Sequence, residues 1–174
     1  VSLGYAYSHG EGVRADYKKA VEWYGKAAEQ GDAKAQYNLG MMYKKGQGVE
    51  QSYEKAAEWY AKAAEQGNAK AQNELGVMYK NGRGVEHNYE QAFEWFTKSA
   101  QQDNEKAQFN LGTMYEEGIG TEKSYEQAFG WFTRSAEQGD AKAKNSLGRL
   151  YEKGLGTSRN YEQAFRSEEH TSEL

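Results

Sequence analysis

The string Leu-Gly-x-x-Tyr-x-x-Gly-x-Gly occurs five times, beginning at Leu3, Leu39, Leu75, Leu111 and Leu147, each start 36 residues after the one before. Tyr17, Tyr53, Tyr89, Tyr125 and Tyr161 keep the same step, as do Trp23, Trp59, Trp95 and Trp131. A fixed period of this length marks a repeat array, in which copies of one small unit stack and each buries its apolar face mainly on its neighbours. Such an array presents an extended surface rather than one enclosed pocket. Binding of other molecules is therefore the expected role.

Composition agrees with a thin, stacked body. Only 37% of the 174 residues are hydrophobic and mean hydropathy is −1.06, which is sparse for a ball-shaped core but adequate for a structure two helices thick. The apolar positions are mostly alanine, tyrosine, tryptophan and phenylalanine. Alanine lets helices approach closely, and each large ring buries about 150–250 Å². Net charge is −4, and Arg166, Glu168, Glu169 and Glu173 near the C-terminus account for half of it. The near-neutral, mixed surface that remains argues against nucleic acid or anionic membrane as partner. No apolar run approaches the ~20 residues of a membrane span. The absence of cysteine removes disulfides and thiolate metal sites from consideration. Val1 falls inside a repeat, so a leader peptide would lie outside the sequence, and cytoplasmic and secreted or periplasmic settings both stay open.

Within one period, Asp32 to Gly67, two helices can be read. Asp32 is an N-cap, and Ala35, Leu39, Met42 and Tyr43 follow at helical spacing. Gly46 suits the left-handed position that closes a helix, and Gly48 gives the linker a second permissive turn. Ser52 caps a second helix whose apolar face is Tyr53, Ala56, Ala57, Tyr60, Ala63 and Ala64, and Gly67 ends it. The caps recur: Asp32, Asn68, Asn104 and Asp140 for first helices, and Asp16, Ser52, Asn88, Ser124 and Asn160 for second helices, each able to accept from a free N–H of the first turn. Asp103, where glycine would end a second helix, and Gly130 inside another are local departures expected to weaken their pairs slightly. Proline is absent, so the turns rest on glycine and caps. The expected fold is all-α: a right-handed α-solenoid of antiparallel helix pairs, the first helices lining its concave side.

The unit Ala-x-Ala-Gln-x-x-Leu-Gly-x-x-Tyr-x-x-Gly-x-Gly-Val-x-x-x-Tyr-x-x-Ala-x-x-Trp-Tyr-x-Lys-Ala-Ala-x-x-Gly at residues 33–67 resembles the Sel-1-like repeat family, relatives of the tetratricopeptide repeats. The resemblance covers residues 1–165, divided as a partial repeat 1–31, repeats 32–67, 68–103 and 104–139, and a truncated 140–165. It implies a non-catalytic adaptor that scaffolds protein complexes, as members do in signalling, endoplasmic-reticulum quality control and bacterial interactions with hosts. Residues 166–174 break the pattern, with Ser167 where the repeat demands tryptophan. They resemble the in-frame translation of a DNA-sequencing adapter and are set aside as a non-native tail. The chain then reads as a fragment cut at both ends, for which fraying and end-to-end self-association are the expectations.

The expected binding face is the concave side of the first helices. Lys34, Lys70, Lys106 and Lys142 stand near the helix N-termini, where they oppose the helix macrodipole. As a cationic ladder they would suit an acidic peptide or carboxylate, although simple duplication of solvated lysines is the plainer explanation. Tyr37, Asn73, Phe109 and Asn145 form the next row, whose rings and amides suit an extended peptide. Beyond them come Met41, Val77, Thr113 and Arg149, then Lys44 and Lys80, followed by Glu116 and Glu152. The groove is expected to be basic in its N-terminal half. The tryptophan row reads as inter-repeat packing rather than a ligand track.

Catalysis finds little support. Ser52-Tyr-Glu-Lys55 fits the Ser-x-x-Lys of penicillin-recognising enzymes, and some family members have been linked to β-lactams. This makes weak β-lactam binding or hydrolysis the alternative function, with a spacer between missing domains as a third. Ser52, however, occupies a cap filled elsewhere by Asp or Asn, and no Lys-Thr-Gly element accompanies it. His9 and His87 lack a histidine partner at i+4. No catalytic residue, metal site or cofactor is expected.

Overall fold

A computed structural model describes residues 2–156, and within them every regular element is helical. First helices are α1 (Ser2–His9), α3 (Ala33–Lys45), α5 (Ala69–Asn81), α7 (Glu105–Glu117) and α9 (Ala141–Glu152). Second helices are α2 (Tyr17–Glu29), α4 (Tyr53–Glu65), α6 (Tyr89–Ala100) and α8 (Tyr125–Glu137). The chain divides into two compact units, Val1–Ser99 and Ala100–Leu174. Asn160, Tyr161 and the tail 166–174 lie outside the described residues.

The caps form as the sequence dictates. Asp32, Asn68, Asn104 and Asp140 each accept from the backbone N–H three residues on, at 2.8–3.0 Å. Asp16, Ser52, Asn88 and Ser124 do the same for second helices. Gly46, Gly82 and Gly118 close α3, α5 and α7 in the left-handed region. Asp103 takes that conformation too (φ 58°), so the turn that glycine makes elsewhere is kept here at some steric cost.

In the first unit the core alternates between helix pairs. Ala20, Tyr24 and Ala28 of α2 enclose Leu39 and Met42 of α3, and the alanines of α4 enclose Leu75 and Met78 of α5. Leu3 is 49% exposed whereas Leu39 is 3% exposed, because Leu39 lies against the alanine face of the preceding second helix. In the second unit Ala128 and Phe132 of α8 meet Ala143 and Leu150 of α9.

Close approach depends on glycine. A Cβ on Gly40 would stand 2.8 Å from the Tyr60 ring, and one on Gly76 or Gly112 would meet Phe96 or Phe132 at 2.8 and 2.7 Å. The glycine of each Leu-Gly is therefore the seat for a ring from its own second helix. The second glycine of Gly-x-Gly serves the next neighbour: a Cβ on Gly48, Gly84 or Gly156 would collide with the backbone carbonyl of Tyr17, Tyr53 or Tyr125. Antiparallel pairing is locked by Ser99 Oγ donating to the Ala69 carbonyl (2.6 Å) and Ser135 Oγ to that of Glu105 (2.9 Å), the end of a second helix meeting the start of its first.

A polar thread joins consecutive repeats. Buried Gln36 donates to the Ala28 carbonyl (3.1 Å) and accepts from Gln66 (2.7 Å). In the second unit Gln108 donates to the Ala100 carbonyl and accepts from Gln138. Buried amides must be paired in this way or their desolvation is uncompensated.

The tryptophans do pack between repeats, since Trp59 rests on the α2–α3 cluster and Trp95 on the α4–α5 cluster. They are half-exposed rather than fully buried, and Trp23 is 38% exposed. A cation from one turn on covers each ring: Lys26, Lys62, Lys98 and Arg134 lie 4.2–4.7 Å from the centroids of Trp23, Trp59, Trp95 and Trp131. The fully buried rings are the next residues, Tyr24, Tyr60, Phe96 and Phe132.

Two outcomes follow for urea unfolding. Trp59→Ala is expected to cost about 2 kcal/mol, from the limited area it covers, and Tyr60→Ala about 3–5 kcal/mol; equal costs would contradict this assignment of the core. Gly12 and Gly48 share a positive φ (70° and 74°), but a Cβ on Gly12 would meet nothing within 4 Å. Gly12→Ala should therefore cost only the conformational strain of about 1–2 kcal/mol, and Gly48→Ala an additional 1–3 kcal/mol or more of overpacking.

Candidate functional site

Side chains turned away from the cores of α3 and α5 make one open face in the first unit. Lys34 and Lys70 are exposed at its N-terminal edge and make no ion pair among the described residues. Tyr37 and Met41 are half-buried against the α4–α5 cluster, and Val77, Lys44 and Lys80 are half-buried too. Asn73 departs from expectation: it is only 4% exposed, turned into the packing between helices rather than out to a ligand. The same residue type at the equivalent Asn145 is exposed, so the neighbours that each position meets, rather than the residue itself, decide its burial.

The charge pattern also differs from the expected basic groove. Lys44 pairs with Glu74 at 2.5 Å, joining α3 to α5. In the second unit Arg149 of α9 donates to both carboxylate oxygens of Glu116 on α7, at 2.8 and 2.9 Å. The cations at Lys44 and Arg149 are thus neutralised from an adjacent first helix. Lys34 and Lys70 are left as the open positive charges at the N-terminal edge. Glu74 was legible in principle, being the one charged residue in a position otherwise held by Asn38, Asn110 and Ser146.

The second unit carries the corresponding face on α7 and α9. Phe109, Thr113, Glu116, Tyr125, Ser146 and Arg149 line an open groove of about 600 Å³. Phe109 rests on buried Phe132 with centroids 5.7 Å apart, as Tyr37 rests on Tyr60 at 5.8 Å. Thr113 spends its hydroxyl on the Phe109 carbonyl (3.0 Å). Lys106, Lys142 and Asn145 are exposed.

Burial shapes the titration of the tyrosines. Tyr60 is fully buried, and its hydroxyl has no hydrogen-bond partner. Burial first, then the charges of Glu74 and Tyr37, raise its pKa far above the ordinary phenol value. Burial and then Glu74 raise that of Tyr37. Burial raises that of Tyr24, against the opposing hydrogen bond from Ser8.

Other singled-out residues have structural employment. Ser52 Oγ accepts from the Lys55 N–H and donates to Glu54 (both 3.1 Å), and the Lys55 ammonium lies over the Tyr43 ring instead. His9 stacks on Tyr5 at 4.0 Å and His87 meets Tyr89 edge-on at 4.2 Å. Among the described residues no three His, Cys, Asp or Glu side chains gather as a metal site, and no helix is long and apolar enough to cross a membrane.

The model of the Sel1 repeat matches residues 1–32, 33–68, 69–104, 105–140 and 141–166. Among solved structures, a protective antigen of uropathogenic Escherichia coli displaying an SLR fold is 41% identical, with a TM-score of 0.87 over 91% of this chain and 34% of its own. A Sel1 repeat protein from Oxalobacter formigenes is 39% identical, with a TM-score of 0.83 over 89% of this chain and 64% of its own. The cysteine-rich protein B of Helicobacter pylori is 25% identical, with a TM-score of 0.59 over 79% of this chain and 99% of its own. No curated protein matches. The chain thus spans about a third of the first structure and 64% of the second.

A raised phenol pKa stabilises the fold below the unfolded value of about 10 and is lost as pH climbs above it. Tyr60→Phe, which places the residue found at Phe96 and Phe132, removes an unpaired buried hydroxyl. It is expected to stabilise the protein by about 1 kcal/mol at neutral pH and to reduce the loss of stability above pH about 10, both readable by thermal unfolding.

Proposed function

Because this chain belongs to the Sel1 repeat family, whose members generally act as protein-interaction scaffolds, we propose that it holds an extended segment of a partner protein along the concave side of its first helices. The observation that supports this reading is that Tyr37 and Met41 of α3 are half-buried on the α4–α5 cluster and Val77 of α5 is half-buried as well. Half-buried rings and aliphatic chains have little more entropy to lose on docking, and they offer apolar area to a ligand. Phe109 and Thr113 provide the counterpart in the second unit.

Lys34 and Lys70 at the edge favour a segment with acidic residues on that side, through steering rather than deep burial. Lys106 and Lys142, exposed in the second unit, offer the same preference there, and the Asn145 amide offers neutral hydrogen bonds. The arrangement is non-catalytic: Ser52 is engaged as a helix cap and its neighbouring lysine faces an aromatic ring.

Joint replacement Lys34→Glu and Lys70→Glu is expected to weaken capture of the partner by about tenfold at low salt and to flatten the salt dependence. Partner affinity measured by calorimetry across a salt series is the check. An affinity equal to wild type at every salt concentration would sink the proposal.

A further inference from the structure

Resting on the concave-face reading, we infer that the open groove of the second unit seats a primary amide side chain of the partner, a glutamine or an asparagine. The groove of about 600 Å³ lies among α7, α9 and the start of α8, and Ser146 of α9 lines it. Serine is the shortest residue the chain places there, since the equivalent positions hold Asn38, Glu74 and Asn110. Ser146 is only 7% exposed, and its hydroxyl makes no hydrogen bond among the described residues. A nearly buried hydroxyl facing an open groove is a polar group waiting for a partner.

The groove carries both signs of charge in balance. Arg149 Nη2 donates to both oxygens of Glu116, at 2.9 and 2.8 Å, so Nε and Nη1 keep their N–H groups for a ligand. Glu116 keeps acceptor sites as well, because a carboxylate has about four. Lys123 and Glu117 line the same groove and add one charge of each sign. A carboxylate entering here meets Glu116 and Glu117, and an ammonium meets Arg149 and Lys123. Like charges brought together in this way are disfavoured. A primary amide meets neither obstacle. Its oxygen accepts from Arg149 or Ser146, and its NH2 group donates to Glu116 or to the serine oxygen. Phe109, also in the groove, rests on Phe132 with centroids 5.7 Å apart and gives the methylenes that carry the amide a fixed apolar surface.

The first unit lacks this combination. Val77 stands at the place of Arg149, and Glu74 at that of Ser146. The ion pair there also runs the other way, from Lys44 on the earlier helix to Glu74 on the later one. Selectivity for an amide therefore belongs to the second unit alone.

The probes are three end-blocked peptides, Ser-Leu-Xaa-Leu-Ser, in which Xaa is glutamine, glutamate or lysine. Each is titrated into the full chain and followed by the backbone NMR signals of residues 109–149. Wild type is expected to bind the glutamine peptide about fivefold tighter than either charged one. Ser146→Ala, which removes only the hydroxyl, should weaken the glutamine peptide about threefold. Arg149→Met, with the side chain the chain carries at the equivalent Met41, leaves Glu116 unpaired and should turn the preference to the lysine peptide. Equal affinity for the three peptides, no binding of the glutamine peptide, or a wild-type preference for a charged one would each overturn the inference. So would Ser146→Ala and Arg149→Met variants that bind as wild type does. Failure of the broader groove reading shows separately, as partner capture untouched by the Lys34 and Lys70 reversals, because those lysines belong to the first unit.

Discussion

Two missing methyl groups in each of the repeats 32–67 and 68–103 hold the packing of the first unit together. The glycine of Leu-Gly allows a Tyr or Phe ring to lie flat on the first helix of its own pair. The second glycine of Gly-x-Gly allows a linker to touch the backbone at the start of the preceding second helix. The first contact closes a pair and the second seats one pair on another. Neither tolerates a side chain, because the atoms met are an enclosed ring and a backbone carbonyl, which cannot swing aside. Dense alanine packing around Leu39 and Leu75 is possible because the helices have already been drawn this close.

Most of the fold was legible for this reason. A glycine that makes a turn and a glycine that admits a neighbour look identical in one copy, but repetition fixes their spacing against caps and rings. Eight cap hydrogen bonds fall where Asp, Asn or Ser stand before a helix. Asp103 adopting the glycine conformation shows the turn is imposed by the stack rather than by the residue. The ranking of the aromatic pair was harder to read. Trp59 and Tyr60 are adjacent and both large, and only the Gly40 seat, invisible in a helical period, decides that the tyrosine is the enclosed one.

The site was less legible than the fold because its chemistry arises between helices. Burial of Asn73 depends on the neighbours packed around it, which a position count along one helix does not resolve. The Lys44–Glu74 pair spans 30 residues, a separation set by how one first helix lies beside the next. Side chains that look like free charges along a helix acquire partners across it. Lys34 and Lys70, near the N-terminal edge, acquire no such partner among the described residues.

Polar groups in the stack divide into two kinds, and the division bears on function. Gln36, Gln66 and Gln108 are paired amide to amide or amide to carbonyl, which fixes how repeats meet without creating anything reactive. Among the described residues, Tyr60 is the exception to this pairing of buried side-chain groups. At two equivalent positions the chain uses phenylalanine and avoids the problem, so the hydroxyl is not needed to fill the space. Tyr60 lies against the half-buried Tyr37 ring, centroids 5.8 Å apart, so the ring is held by its aromatic neighbour while the hydroxyl is held by nothing. The amide pairs and the lone phenol thus differ in what holds them: the first are fixed by their partners, the second by packing alone.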